Sequence, residues 1–216
     1  MAGTVTSLKP KSGRKGRIHV HLDGTYAFSL AGVLAASLRL GQELSEEAVE
    51  ALKQENMVEV AYQRALGLIS RRPRSERELQ IRFGRDHLPA ATQDAVIDHL
   101  RQAGLVDDRS FAEAWVENRG TFRPRAARML RFELRQKGVP EPAIEAALEG
   151  YDEERAAAEG ARKVARRLSK LSEVDFKRRM SQYLARRGFD HATISPVVER
   201  MWRETAAHRN ESEGSL

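Results

Sequence analysis

The sequence predicts a mainly α-helical chain, built of three tandem three-helix units behind a small α+β N-terminal module. Ala, Leu, Arg and Glu, all strong helix formers, dominate the composition. From Asn56 onward, apolar residues recur at spacings of three and four, the period of one helix face. Ahead of that point a short segment alternates with a period of two, as a half-buried strand does.

In the first segment, Ile18, Val20 and Leu22 alternate with Arg17, His19, His21 and Asp23. Asp23-Gly24 supplies a tight turn, and Tyr26–Leu30 returns as a second strand. Val5–Leu8 is a candidate third strand, reached through the basic, Gly- and Pro-containing loop Lys9–Gly16. Two short helices follow, near residues 31–38 and 45–54, separated at Gly41. This module is read as residues 1–55.

The first helical unit, 56–106, opens with Tyr62, Ala65, Leu66 and Ile69 on one face. Pro73 ends that helix, because the residue before a proline avoids the α region. Ser75-Glu76-Arg77-Glu78 has the form of a capping box, and Leu79 and Phe83 continue the apolar face. Val96, Ile97 and Leu100 mark a helix over about 92–103, stopped by Gly104.

In the second unit, 107–150, Asp107 is placed to cap a helix whose stripe is Phe111, Ala114 and Trp115. Pro124 reads as a first-turn residue of the next helix, which carries Ala127, Leu130 and Leu134 and is closed by Gly138. Pro140 and Pro142 open a short helix with Ile144, Ala147 and Leu148.

The third unit, 151–205, repeats the plan with helices over 152–171, 173–187 and 193–205. Phe176, Met180, Tyr183 and Leu184 line the middle one, and Gly188 closes it. The polar tail, 206–216, is predicted to be disordered.

The units repeat in residues as well as in helix count. Lys137-Gly138-Val139, then Ile144, Ala147 and Leu148, is matched 50 residues later by Arg187-Gly188-Phe189, then Ile194, Val197 and Val198. The first unit departs from this: His87-Leu88 stands at the glycine step and Gln93 where the isoleucine belongs. Stacked helical repeats of this kind serve as extended binding surfaces.

Several function classes fall away. With no cysteine, disulfides, zinc fingers and thiol catalysis are excluded. Neither a secretory h-region nor an apolar stretch of bilayer length is present, so the expectation is a soluble cytoplasmic protein without a membrane partner. There is no phosphate-binding loop, no dinucleotide fingerprint, no H-E-x-x-H and no G-x-S-x-G. Asp107-Asp108 reads as a helix cap rather than a catalytic pair. His19, His21 and Asp23 have the alternate spacing of a metal-binding strand. However, Gly24 stands where dinuclear zinc hydrolases place a further histidine, and His87, His99, His191 and His208 are scattered. The expectation is therefore no enzyme, no cofactor, no metal and no small-molecule substrate.

The functional signal is arginine. The net charge of +6 permits an acidic protein or nucleic-acid partner without demanding either. Position says more than the sum. Arg71, Arg72, Arg74 and Arg77 crowd one stretch. Arg119, Arg123, Arg125, Arg128, Arg131 and Arg135 form another, with Glu133 the single acid among them. At helical spacing Arg128, Arg131 and Arg135 share a stripe, and the planar guanidinium suits carboxylate and phosphate alike. On this reading Arg128 and Arg131 are surface contacts whose reversal leaves stability unchanged. Phe111 and Trp115 are core, and no aromatic platform for single-stranded nucleic acid is present.

Residues 65–79, ALGLISRRPRSEREL, resemble the opening of the RecX regulatory proteins. Gly104-Leu105-Val106-Asp107-Asp108 with Phe111-Ala112 and Trp115-Val116 is similar to that family's most recognisable motif. Glu133–Val139 and Arg186–Phe189 are similar to its later signatures. The likeness covers about residues 60–203, and the N-terminal module resembles an extension that some members carry. The resemblance implies three three-helix units in a curved array and binding to the RecA recombinase and the RecA–DNA filament. It implies restraint of filament growth, ATP hydrolysis, strand exchange and coprotease activity in DNA repair and the SOS response, and it carries no catalytic residue. The candidate partner contacts are Arg71, Arg72, Arg74, Arg77, Arg123, Arg125, Arg128, Arg131 and Arg135, with Arg178, Arg179, Arg186 and Arg187 in the third unit. The alternative is a direct, weak DNA contact through the basic helical faces.

Overall fold

The computed structural model describes residues 2–11 and 16–213. The chain divides into two compact units, Met1–Val106 and Asp107–Leu216.

The first unit begins with an antiparallel sheet: β1 (Gly3–Pro10), β2 (Arg17–Leu22), β3 (Thr25–Ala31) and β4 (Glu43–Leu44), in the order β3-β2-β1-β4. Asp23 and Gly24 both take positive φ, 48° and 84°, which makes the tight hairpin predicted for them. Alternation sends Val20, Leu22, Phe28 and Leu30 to one face. There they pack with Val5, Ala35, Leu38, Leu44 and Val49. The two-residue β4 is too short to leave a pattern in the sequence, and the helix expected over 31–38 is a single turn, α1 (Gly32–Ala35).

The main departure from expectation is α2, one helix over Glu46–Ile69. Ser45 caps it by accepting from the Ala48 amide at 3.2 Å. From the sequence, one helix is expected to end near residue 54 and the first helical unit to begin at Asn56. In the fold the Asn56 amide faces the sheet. Its Oδ1 accepts from the Ala31 amide at 2.9 Å and from Arg17 Nη1 at 3.1 Å. A residue type that often interrupts helices here bolts the helix to β2 and β3. The boundary placed at 55/56 lies inside α2, and the module and first helical unit share that helix.

The C-terminal half of α2 packs with α3 (Glu76–Arg85) and α4 (Ala90–Gln102) around Ala61, Ala65, Leu79, Phe83, Val96, Ile97 and Leu100. Ser75 caps α3 by accepting from the Glu78 amide at 3.3 Å, as the capping box predicts.

The second compact unit holds two further three-helix groups. The first is α5 (Asp108–Phe122), α6 (Ala127–Gln136) and α7 (Glu141–Leu148), closed on Phe111, Ala112, Val116, Leu130, Leu134, Val139, Ile144 and Leu148. Asp107 caps α5, accepting from the Arg109 and Ser110 amides at 3.1 and 3.0 Å. Those bonds and the Ser110 hydroxyl, the largest influence, hold its carboxyl below the usual range. Ala114 is exposed, so the buried stripe of α5 runs through Ala112 and Val116 instead. Pro124 precedes α6 rather than opening it, and is buried.

The second group is α8 (Glu153–Leu168), α9 (Glu173–Ala185) and α10 (His191–Glu213), around Phe176, Met180, Leu184, Phe189, Ile194, Val197 and Met201. The backbone of α10 continues past Thr205 to Glu213, over residues 206–213 where disorder is expected from the sequence. The part of that expectation on residues 214–216 lies outside the described residues.

These two groups are joined by polar bonds at the start of α6, which has no side-chain cap of its own. Glu153 from α8 accepts from the Ala127 amide at 2.7 Å. The Ala126 amide donates to the Arg187 carbonyl at 3.1 Å, and Arg128 Nε donates to the Gly188 carbonyl. The Tyr151 hydroxyl, pushed up to about 12 mainly by burial, donates to the Arg125 carbonyl at 2.7 Å. The orphan donors of one helix are thus satisfied from the next group.

One turn recurs in all three groups. The middle helix ends in a left-handed residue: Gly138 at φ 75°, Gly188 at φ 90° and, where no glycine is available, His87 at φ 55°. In each, the next amide reaches back to a carbonyl five residues earlier: Leu88 to Phe83, Val139 to Leu134, Phe189 to Leu184. The first unit therefore makes the same closing turn with a side chain that disfavours it. His87→Gly is expected to raise the stability of the chain by about 1 kcal/mol, read as a higher urea midpoint at unchanged slope. A lower midpoint would show that the His87 ring contributes more than its backbone strain costs.

Candidate functional site

The arginines singled out from the sequence separate into two groups once their partners are known. Most of the α6 set is committed within the fold. Arg131 forms a two-pronged pair with Glu145, at 2.8 and 3.0 Å, and Arg135 does the same with Glu141, at 2.8 and 2.6 Å. These carboxylates hold both guanidinium groups above their usual range, the hydrogen bond being the first cause. Arg125 and Arg119 both reach Glu133, at 2.8 and 2.7 Å, and Trp115 Nε1 donates to the same carboxylate at 2.9 Å. Arg128 is held by the Gly188 carbonyl. Glu133, the single acid in that basic run, is thus the anchor of a local network.

Trp115 is half-buried rather than core. It stacks on Phe111 with centroids 5.8 Å apart, and its ring lies under Arg119 at 4.3 Å and Lys137 at 5.2 Å.

In the first unit, Arg72 grips Glu78 at 2.8 and 3.1 Å, which raises its pKa, and Arg74 Nε lies 3.5 Å from the Leu68 carbonyl. Arg71 and Arg77 are exposed, with no ion pair among the described residues. Arg71 lines a groove with Arg64, Arg82 and Asp86, where one carboxylate serves the two other arginines at 3.7 and 3.3 Å. Arg77 lines another with Ile81, Gln93 and Asp94. Arg123 is exposed just after α5 and makes no ion pair among the described residues.

In the third unit, Arg178 pairs with Asp175 at 2.6 Å. Arg187 lies 3.6 Å from the centre of the Tyr183 ring, and burial, with Arg125 and Arg186 nearby, pushes its pKa down. Arg179 and Arg186 belong to a different setting. Together with Arg167 of α8 they line an open groove of about 390 Å³ between α8 and α9, floored by Val164, Leu168 and Tyr183, with Gln182 beside them. No carboxylate lines this groove. Arg167, Arg179 and Arg186 make no ion pair or side-chain hydrogen bond among the described residues. They present planar donor forks to solvent over an apolar floor, the arrangement that takes phosphate or carboxylate oxygens.

Arg167 escaped the sequence reading. The signal for it was a local absence of acids: positions three and four residues away hold Lys163, Val164, Lys170 and Leu171.

Two of the three residues weighed as metal ligands have other partners. Asp23 turns away to accept from the Thr4 amide at 3.0 Å, and His19 Nδ1 bonds the Ser29 hydroxyl at 2.9 Å. No cluster of metal-ligating side chains occurs among the described residues. No helix among them is long and apolar enough to cross a membrane.

Fold and surface together define a class: a tandem three-helix protein with arginine-lined grooves on its first and third units. The comparisons with known proteins agree. Residues 61–100, 107–148 and 152–198 match, in order, the first, second and third three-helix domains of RecX. The regulatory protein RecX of Levilactobacillus brevis is 33% identical over 190 residues, spanning 86% of this chain and 71% of the relative. That of Thermobifida fusca is 40% identical over 128 residues, 57% of this chain and 69% of the relative. A crystal structure of a regulatory protein RecX superposes with a TM-score of 0.70 at 26% identity, covering 94% of this chain and 100% of that one. The chain belongs to the RecX family of regulatory proteins.

The two classes of arginine differ in what reversal does. Arg128→Glu should destabilise the chain by about 1–3 kcal/mol, since it breaks a bond to the Gly188 carbonyl and sets a carboxylate against that carbonyl oxygen. Arg179→Glu with Arg186→Glu should leave stability within about 0.5 kcal/mol. Thermal unfolding of both variants checks this. Equal midpoints would mean that the Arg128 bond contributes nothing.

Proposed function

We propose that this chain binds the RecA recombinase and its filaments on DNA and restrains them, lowering ATP hydrolysis, strand exchange and coprotease activity in DNA repair and the SOS response. The observation that carries the reading is the α8–α9 groove, where Arg167, Arg179 and Arg186 stand without carboxylate partners. A filament of protein wound on nucleic acid offers acidic side chains and phosphates, and a guanidinium fork bonds both. Membership of a family named for regulation supports a protein partner. The chain acts by binding, in the cytoplasm where its partner works, and catalyses no reaction.

The candidate contacts narrow accordingly. Arg71, Arg77, Arg123, Arg179 and Arg186 keep their place, and Arg167 joins them. Arg72, Arg74, Arg125, Arg128, Arg131, Arg135, Arg178 and Arg187 have partners inside the fold, so recruiting them would first break an existing contact. Direct contact with DNA phosphates is the second reading, favoured by the same unpaired forks.

ATP hydrolysis by RecA on single-stranded DNA decides between outcomes. The chain should slow it at stoichiometric amounts. Arg179→Glu with Arg186→Glu should need roughly tenfold more protein for the same effect, as loss of two contact charges predicts. No slowing by the parent chain at excess would overturn the proposal. Full potency of the double variant would move the contact to another face.

A further inference from the structure

The outer face of the N-terminal sheet carries side chains that neither the helical units nor the core explains. Two β-bulges build it. Between Val5 and Ser7 the register of β1 shifts by one residue, and β3 shifts in the same way opposite Val20 and His21. Strict alternation would send Tyr26 inward with Phe28 and Leu30, and Ser7 and Lys9 inward with Val5. The extra residues, Thr6 and Ala27, reverse this. As a result Ser7, His21 and Tyr26 form one row across β1, β2 and β3, and Lys9, His19 and Ser29 form the next.

Tyr26 is 55% exposed, a high value for an aromatic ring in a sheet. Its ring meets those of His19 and His21 edge-on, with centroids 5.1 and 6.0 Å away, and its hydroxyl lies 3.1 Å from that of Ser29. The edge contacts and the hydroxyl fix the ring while leaving much of it in solvent. Lys9 is exposed and pairs with no carboxylate among the described residues, and Arg17 is held by Asn56 and the Ser29 carbonyl, at 3.1 and 3.0 Å, both neutral acceptors. The acids of the sheet, Asp23 and Glu43, sit beyond Thr25 and Thr4, at the end away from Lys9 and Arg17. Cations lie at one end, a fixed aromatic and two imidazoles in the middle, and no carboxylate between them.

We infer that this sheet face, centred on Tyr26, His19, His21 and Lys9, is a binding platform for single-stranded nucleic acid. A base stacks on the exposed Tyr26 ring, and the backbone phosphates run towards Lys9, at the end where the bonded Arg17 adds positive charge without being recruited. Stacking on an aromatic ring takes any base, because each has a π-face, so the preference is for an unpaired strand rather than for a sequence. A duplex, whose bases are already stacked, offers the ring nothing. This departs from the expectation of no aromatic platform, which takes Tyr26 as one more strand residue. The bulge turns it outward.

The test uses the full chain and a labelled oligothymidylate, without recombinase, so it stands apart from the RecA proposal. The parent chain should bind the oligonucleotide more tightly than a duplex of equal length. Tyr26→Ala should weaken this about tenfold, the loss expected for one stacking ring, yet leave binding to an abasic strand unchanged. Lys9→Gln should flatten the dependence of log affinity on log salt by about 0.7. Both residues are exposed, and an unchanged unfolding midpoint confirms that the variants fold. Iododeoxyuridine in the strand should photo-crosslink to the peptide containing Tyr26. The inference is overturned if the parent chain does not bind. It is overturned equally by unaltered affinity of Tyr26→Ala, or by crosslinks confined to α8 and α9.

Discussion

A single backbone geometry organises the helical part of this chain: the left-handed residue that closes the middle helix of each group. It turns the chain through the hydrogen bond from the following amide and drops the next apolar side chain, Leu88, Val139 or Phe189, against its own core. Everything after it in each group inherits its direction. At Gly188 the constraint is double. The backbone sits at φ +90°, and a β-carbon there would lie 2.3 Å from Met129 Cγ, so side-chain volume is excluded by the neighbouring group as well as by conformation. The same turn places the Arg187 and Gly188 carbonyls where the start of α6 needs acceptors. One short peptide thus closes a helix and joins two groups.

Much of this was legible in the sequence. Gly138 and Gly188, the caps Ser75 and Asp107, and the spaced apolar residues of α3, α6 and α9 all announce local geometry through local chemistry. What was hidden depended on distant partners. A boundary at 55/56 is plausible in sequence because nothing local shows that the Asn56 amide is used by the sheet, far away along the chain. His87 looks like a defect in the repeat, yet its backbone adopts the glycine conformation because the packing of Phe83 and Leu88 demands it. The bulges at Thr6 and Ala27 leave no mark in a period-two pattern, since each is one residue long.

Charge was the hardest feature to read. A stripe such as Arg128, Arg131 and Arg135 looks like an interface because helical spacing reveals neighbours on its own helix and none on the next. Glu145 and Glu141 of α7 and the Gly188 carbonyl consume those donors. The modest excess of base over acid is consequently uneven. It concentrates where acids are missing, in the α8–α9 groove and at one end of the sheet, and nearly vanishes over α6 and α7.

The unbroken α2 has a mechanical meaning. Its first half is clamped to the sheet by Asn56, and its second half supplies Ala61 and Ala65 to the first helical core. No loop intervenes to absorb displacement, so the sheet and those three helices move as one lever arm. A load applied at either end reaches the other through a continuous ladder of backbone hydrogen bonds. Clipping the chain at residue 55 would therefore shorten the arm itself, rather than detach an accessory from it.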